Sequence, residues 1–264
     1  MKVLVVGGAG YLGSITAQEL LSQGDEVVVY DNLSAGHRAA VPEGAAFIHS
    51  DVGYRSRLLT AFQEHGFHAV IHFAGLIVNS ESMQDPVRYY ANNVSGTINL
   101  LGIMLECGVK KFVFSSSAAV YGNPDAIPID ETAPLRPTSP YGETKVAIER
   151  LLPWLEASAG LRYASLRYFN AAGATKERGE DHRPETHLIP LALQVAAGQR
   201  DHLIIYGTDY PTEDGTCVRD YLHVVDLARA HVLALKSLEQ GSGAYNLGSE
   251  IGRASCRERV YVLV

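Results

Sequence analysis

The apolar run Lys2-Val3-Leu4-Val5-Val6 breaks directly into Gly7-Gly8-Ala9-Gly10-Tyr11-Leu12-Gly13, and that junction restricts the possible folds more than any other stretch. It reads as a strand, a glycine turn and the start of a helix. Gly7, Gly10 and Gly13 stand in a G-x-x-G-x-x-G spacing. Glycines so placed let the backbone turn sharply, approach a pyrophosphate closely and pack the helix on its strand. The phosphates then sit at the helix N-terminus. A second apolar strand, Val27-Val28-Val29-Tyr30, follows and ends in Asp31. An acid roughly 20 residues past the glycines is where a ribose-binding carboxylate is expected. It would accept hydrogen bonds from a ribose diol and repel a 2′-phosphate, so the pattern favours NAD over NADP.

Strand-like and helical runs alternate beyond this unit. His68 to Phe73 reads as a strand, Pro86 to Glu106 as a helix, Lys111 to Ser115 as a strand, Pro140 to Glu156 as a helix and Leu161 to Tyr168 as a strand. That rhythm predicts an α/β protein with a doubly wound parallel sheet. Ala133 to Pro140 carries three prolines and reads as a loop over the sheet edge where the site lies. From about Asn170 the rhythm loosens, and the charged stretch Thr175 to Thr186 reads as a loop over a ligand.

Within this frame, Pro140-Tyr141-Gly142-Glu143-Thr144-Lys145 places a tyrosine and a lysine one helical turn apart. Ser139 reads as the N-cap and Pro140 as the first helical residue, where a missing N–H costs nothing. A neighbouring ammonium, and a cationic nicotinamide ring when bound, would favour phenolate and lower the tyrosine below its usual value near ~10. Such a tyrosine can act as a general base near neutral pH. Alone, the pair also fits an amphipathic surface helix. The strand Lys111-Phe112-Val113-Phe114-Ser115-Ser116-Ser117 turns polar at its carboxyl end, where open α/β sheets bind ligands, and Ser117 there could hydrogen-bond a sugar hydroxyl.

Composition excludes several classes. At 264 residues and 47% apolar, with mean hydropathy +0.01, the chain suits one α/β unit with a sizeable core and a smaller appended region. The opening apolar run stops at Gly7, so it reads as neither a secretory signal nor a spanning helix, and no membrane partner is expected. A net charge of −7 and a pI near 5.8 argue against a nucleic-acid partner. Cys107, Cys217 and Cys256 have no paired spacing, which points to neither a disulfide framework nor a metal site and suits the cytoplasm.

Taken together, these residues resemble the extended short-chain dehydrogenase/reductase superfamily, and more closely its UDP-galactose (UDP-glucose) 4-epimerase family, from Met1 to about Ser249. The resemblance rests on ordered segments: Gly7 to Gly13, Tyr30-Asp31-Asn32-Leu33, Asp51-Val52, His72-Phe73-Ala74-Gly75 and Tyr89 to Val94. It continues through Ser115 to Gly122, Arg167-Tyr168-Phe169-Asn170, Pro184 to Pro190 and Pro211 to Tyr221. It implies a Rossmann NAD-binding domain over 1–168 and a smaller, incomplete nucleotide-sugar region over 169–249 interleaved with it. Cofactor contacts would come from Gly7, Gly10, Tyr11, Leu12, Gly13, Asp31, Asn32, Asp51 and Val52. Others would come from Phe73, Ala74, Gly75, Asn92, Ser115, Tyr141, Lys145 and Tyr168. Tyr141, Lys145 and Ser117 would be catalytic. Asn170, His187 and Arg219 would join Ser117 and Tyr141 in holding a UDP-sugar, a guanidinium being suited to bridge diphosphate oxygens. Arg219 could instead pair with Asp214 or Asp220, and His187 could be an ordinary loop histidine.

The resemblance also implies a homodimer through the helices beginning near Pro86 and Pro140, and interconversion of UDP-galactose and UDP-glucose by transient oxidation at C4. A 4,6-dehydratase would need an acid and a base where Ala118 and Ala119 stand. A catalytically silent NAD-binding relative is a further alternative, usually betrayed by a broken Tyr/Lys pair. After Ala244-Tyr245-Asn246-Leu247-Gly248-Ser249 the likeness stops. Glu250 to Val260 reads like an in-frame translation of a short-read sequencing adapter, so 250–264 is expected to be a non-native tail on a truncated chain. Genomic reads that carry the same codons past Ser249 in an intact locus would refute this.

Overall fold

In the computed structural model, residues 1–249 are described, apart from 184, 205, 206, 211, 214 and 217. The expected tail at 250–264, with Cys256, lies outside the described residues, as do Pro184, Pro211, Asp214 and Cys217.

Strands and helices alternate as β1 (Lys2–Val6), α1 (Tyr11–Ser22), β2 (Glu26–Asp31), β3 (Ala46–His49), α2 (Arg55–His65) and β4 (Ala69–His72). There follow α3 (Asn79–Gln84), α4 (Pro86–Tyr89), α5 (Gly96–Glu106), β5 (Lys111–Ser115), α6 (Pro140–Ala159) and β6 (Arg162–Tyr168). The chain continues through β7 (Asn170–Ala172), α7 (Leu188–Ala196), β8 (Tyr221–His223), α8 (Val224–Ser237) and β9 (Gly243–Leu247). Seven strands form one parallel sheet in the order β3-β2-β1-β4-β5-β6-β9. β7 and β8 make a separate parallel pair in register Asn170 to Tyr221.

Both sheet faces are covered, so the central strands are apolar at successive positions rather than alternating. Leu4, Val6, Val28, Val70 and Phe112 point to one side, against Leu58 and Phe62 of α2, Leu100 and Met104 of α5, and Ile148 and Leu152 of α6. Val3, Val5, Val29 and Ile71 point to the other, against Ala17 and Leu20 of α1 and Val232 and Leu235 of α8. The strand order reverses between β1 and β4. The crevice at their carboxyl ends is therefore the place where such a sheet takes a ligand.

The helix expected from Pro86 to Glu106 is interrupted. Between α4 and α5, Tyr90–Ser95 forms a π-helical turn. The buried Asn93 explains it. Its Oδ1 accepts from Leu76 N at 2.8 Å, its Nδ2 donates to Leu76 O at 2.9 Å, and Nδ2 also donates to Thr144 Oγ1 at 3.2 Å. A widened turn swings that amide out of the helical rise and into the loop after β4.

Candidate active site

The glycine turn at the carboxyl end of β1 has two positions that tolerate no side chain. Gly7 has φ +79°, and a Cβ there would lie 2.5 Å from Ala74 N. A Cβ on Gly13 would lie 2.2 Å from Gly7 O. Gly10 is the N-cap of α1, and its Cβ would meet only Gly7 O at 3.4 Å. No side chain caps α1 and no acid stands in its first turn, so its leading N–H groups are open to an anion. Asp31, buried at the end of β2, accepts from Ala9 N at 3.0 Å and Leu33 N at 2.8 Å, and so ties the glycine turn to the next loop. Beside it Asn32 Nδ2 donates to Asp51 Oδ2 at 2.6 Å, while Asp51 Oδ1 accepts from Gly53 N at 2.7 Å. Val52 is buried against Gly96. These residues fit a dinucleotide: a close-approach turn, an uncapped helix end and paired carboxylates beyond it.

The next two loops add the remaining expected contacts. Phe73 packs at a tilt against the buried His231 with ring centroids 4.6 Å apart, Ala74 closes over Gly7, and Gly75 lies against Asn93. Asn92 Nδ2 donates to Asn93 Oδ1 at 2.9 Å. At the amino end of α1, Leu12 packs with Ile15 and Val224, while Tyr11 Oη donates to Gly173 O at 2.5 Å. Burial and the charge of Glu180 push the Tyr11 phenol up.

Tyr141 and Lys145 lie in the opening turns of α6 as expected, with Ser139 Oγ accepting from Gly142 N at 3.2 Å and Pro140 first in the helix. Lys145 is buried; its Nζ donates to Ser115 O at 2.8 Å and sits 5.8 Å from the centre of the Tyr141 ring. Burial lowers Lys145 to about 8, partly opposed by Glu149. Ser115 Oγ and Tyr168 Oη share a hydrogen bond of 2.6 Å. Burial, then the neighbouring Tyr141, pushes Tyr168 up. Ser117 caps the turn after β5, accepting from Ala119 N at 3.2 Å, and its hydroxyl lies beside the Tyr141 phenol. Tyr141, Lys145, Ser115, Ser117 and Tyr168 thus form one cluster at the carboxyl ends of β5 and β6. One expectation needs correcting. Lys145 does not lower Tyr141 in this structure; burial raises the phenol, and Ser117 alone works against it.

The substrate-side residues are more scattered. Asn170 Nδ2 donates to Asp220 O at 3.0 Å, locking β7 to β8. Arg219 enters no ion pair among the described residues, and its Nε is buried with no partner. The suggested pairing with Asp220 is not made; Asp220 instead accepts from Ser249 Oγ at 2.7 Å. Asp214, its other suggested partner, is outside the described residues. His187 precedes α7, with Nδ1 2.8 Å from both Glu180 Oε1 and Glu185 Oε1. Burial would lower it, but these two carboxylates outweigh burial and raise it to about 9.

Sequence reasoning missed the support beneath the cluster. Glu149 and Arg167 form a buried ion pair, with Arg167 Nε 3.0 Å from Glu149 Oε2, and Ser116 Oγ donates to Glu149 Oε1 at 2.5 Å. Arg167 Nη1 donates to Tyr121 Oη at 2.7 Å, which donates to Asn246 Oδ1 at 2.6 Å. The available signal was Glu149 standing four residues after Lys145, on the same helix face. Gly36 was missed too: a Cβ there would meet Ala9 C at 2.7 Å.

A parallel sheet with this order, a dinucleotide turn and a Tyr/Lys/Ser cluster at its carboxyl edge defines a nucleotide-dependent oxidoreductase-type site. The chain belongs to the NAD dependent epimerase/dehydratase family, whose model matches residues 3–248. Among curated relatives, UDP-glucose 4-epimerase of Lacticaseibacillus casei is 52% identical, the match covering 96% of this chain and 77% of that protein. That of Halalkalibacterium halodurans is 53% identical over 96% of this chain and 76% of the relative. Among solved structures, UDP-glucose 4-epimerase from Brucella ovis in complex with NAD superposes with TM-score 0.92 at 50% identity, covering 95% of this chain and 78% of the other. The enzyme from Bifidobacterium longum in complex with NAD+ and UDP gives TM-score 0.89 at 38% identity, covering 96% and 79%.

Proposed function

We propose that this chain interconverts UDP-galactose and UDP-glucose, inverting the sugar at C4 by transient oxidation. The observation that carries this reading is the cluster of buried Tyr141 and Lys145 with half-buried Ser117, beside an uncapped glycine turn. NAD, when bound, supplies the reversible oxidation that lets a carbon with no neighbouring carbonyl invert. Gly7, Gly13 and the amino end of α1 hold its phosphates, and Asp31 its ribose. Tyr141 takes the proton of the 4-hydroxyl and later returns it, while Ser117 holds that hydroxyl in line. Burial opposes phenolate formation at Tyr141, with Ser117 working against burial, so the positive charge of a bound nicotinamide ring would favour the base form. Lys145 is already held in place by Ser115 O. Arg219, with its unpartnered buried Nε, and His187 hold the diphosphate, so that only the sugar has to turn over; Asn170 lies on the same side. The test is conversion of UDP-galactose to UDP-glucose without added nicotinamide cofactor. NAD binding without turnover would move the assignment to a silent relative.

The division into an NAD-binding part over 1–168 and a nucleotide-sugar region over 169–249 is supported by the separate β7–β8 pair. Their interleaving is supported by β9 and α8, which complete the large sheet. A homodimer through α4, α5 and α6 is supported by exposed apolar side chains along those helices: Val87 at 77%, Tyr90 at 42%, Ile98 at 49% and Trp154 at 73%. Val87→Glu with Trp154→Glu should give a monomer in light scattering. Among the described residues no helix is long and apolar enough to cross a membrane. A cytoplasmic setting is the reading that suits a nucleotide-sugar substrate.

A further inference from the structure

The loop between β7 and α7 carries four side chains that the reaction above does not explain as a group. Glu180, His182, Glu185 and His187 each bring a donor atom within 4.8 Å of the others. His187 Nδ1 is 2.8 Å from Glu180 Oε1 and from Glu185 Oε1, and His182 Nδ1 is 3.1 Å from Glu180 Oε1. Both carboxylates are largely shielded, at 11% side-chain exposure each. Neither meets a lysine or arginine among the described residues; the two imidazoles are their ionic partners. Shielded carboxylates this close to one another call for a compensating positive charge.

We propose that Glu180, His182, Glu185 and His187 bind one divalent first-row transition-metal ion, zinc foremost. Two imidazole nitrogens and two carboxylate oxygens suit zinc, whereas magnesium and calcium take oxygen ligands. His182 and His187, four residues apart in between, fall within the usual spacing of paired zinc histidines. Bonds of about 2.0–2.1 Å at tetrahedral angles put ligand atoms about 3.4 Å apart, so the three short pairs need open only by a few tenths of an ångström. Glu185 is already oriented: its Oε1, the oxygen nearest His187 Nδ1, accepts from Thr186 N and His187 N at 2.7 Å each. Backbone support of this kind fixes a ligand's direction. Four protein donors and no open position describe a structural site rather than a catalytic one, with His187 ligating through Nδ1 and keeping Nε2 for the diphosphate.

The place in the fold says what the ion does. The same loop is latched to the loop beyond β2, where His37 Nε2 lies 2.9 Å from Asp181 O and Arg178 Nε donates to Ala40 O at 2.9 Å. A metal clip at 180–187 would brace the strap where Arg178 and Asp181 latch it to the loop beyond β2. The inference does not depend on which sugar nucleotide the chain converts.

The test uses the full chain, stripped with a chelator and titrated with Zn²⁺ against a chromophoric competitor, with Co²⁺ as a spectroscopic substitute. One Zn²⁺ per chain and the intense visible absorption of tetrahedral Co²⁺ are expected. His182→Ala and Glu185→Gln should each weaken Zn²⁺ binding by about 100-fold or more, since even loss of a group that only supports a ligand costs about 10–100-fold. His202→Ala, at an exposed histidine outside the cluster, should leave binding unchanged. Circular dichroism establishes that each variant is folded, and Zn²⁺ should raise the melting temperature of the unaltered chain and of His202→Ala but not of His182→Ala or Glu185→Gln. Binding no weaker in folded His182→Ala or Glu185→Gln than in the unaltered chain, or no binding beyond that of the surface histidines, would overturn the proposal.

Discussion

Replacing Glu149 with alanine should be the most damaging single change to the support of the active cluster. Its carboxylate is 5% exposed and its partner Arg167 7% exposed, and the two share three hydrogen bonds, with Ser116 donating a further one. Removing the acid strands a guanidinium that cannot shed its proton, in a site closed to water. Breaking such a buried pair from one side costs about 3–5 kcal/mol. At roughly 2–4 °C per kcal/mol for a domain of this size, that is a fall of about 6–20 °C in melting temperature. Glu149→Leu combined with Arg167→Leu should recover most of the loss, because an apolar pair leaves no uncompensated charge. Urea denaturation followed by circular dichroism measures all three proteins. A loss below about 1 kcal/mol in Glu149→Ala, the range of an exposed pair, would refute the claim that this ion pair is desolvated and supports the strand end. Since Ser116 adjoins both Ser115 and Ser117, turnover should fall in the single variant as well.

Other consequences are as direct. Gly13→Ala should abolish NAD retention, measured as bound nucleotide after gel filtration, because its Cβ would sit 2.2 Å from Gly7 O. With a chelator present, His187 contributes stability in full below its ordinary value of 6.5 and loses it as pH rises through about 9. His187→Gln should therefore flatten the urea midpoint across that interval, and an unchanged slope would contradict the Glu180–His187–Glu185 arrangement. Glu180, which burial would raise but hydrogen bonds from His182 and His187 lower to about 2, adds stability above 4.5 that is lost as pH falls toward 2. Its replacement by Gln should remove that acid-side loss.

Local signals carried most of the fold. The run Lys2–Val6 into Gly7 announces β1 and the start of α1, and Ser139-Pro140 marks the start of α6 to the residue, because caps and glycine turns depend on near neighbours. What was not legible depends on distant partners. The π-helical turn at Tyr90–Ser95 answers to Leu76 and Thr144, neither of which the helix's own sequence reveals. β9, Gly-Ala-Tyr-Asn-Leu, has little apolar periodicity and is a strand because β6 lies beside it. The same division holds in the site. Tyr141 and Lys145 were readable from helical spacing, yet the direction in which Tyr141 titrates was not, because it is set by burial, which only the folded chain shows, with Ser117 opposing it. Arg219 and His187 stood out only by resemblance, and the partners of His187 at 180 and 185 required the loop to fold back on itself.

The central claim is that Tyr141 is the base of a C4 epimerisation, and conversion of UDP-galactose to UDP-glucose tests it most directly. The protein should turn over without added nicotinamide cofactor, and Tyr141→Phe should retain NAD while losing about 10²–10⁴-fold in kcat. Full activity in Tyr141→Phe would contradict the account.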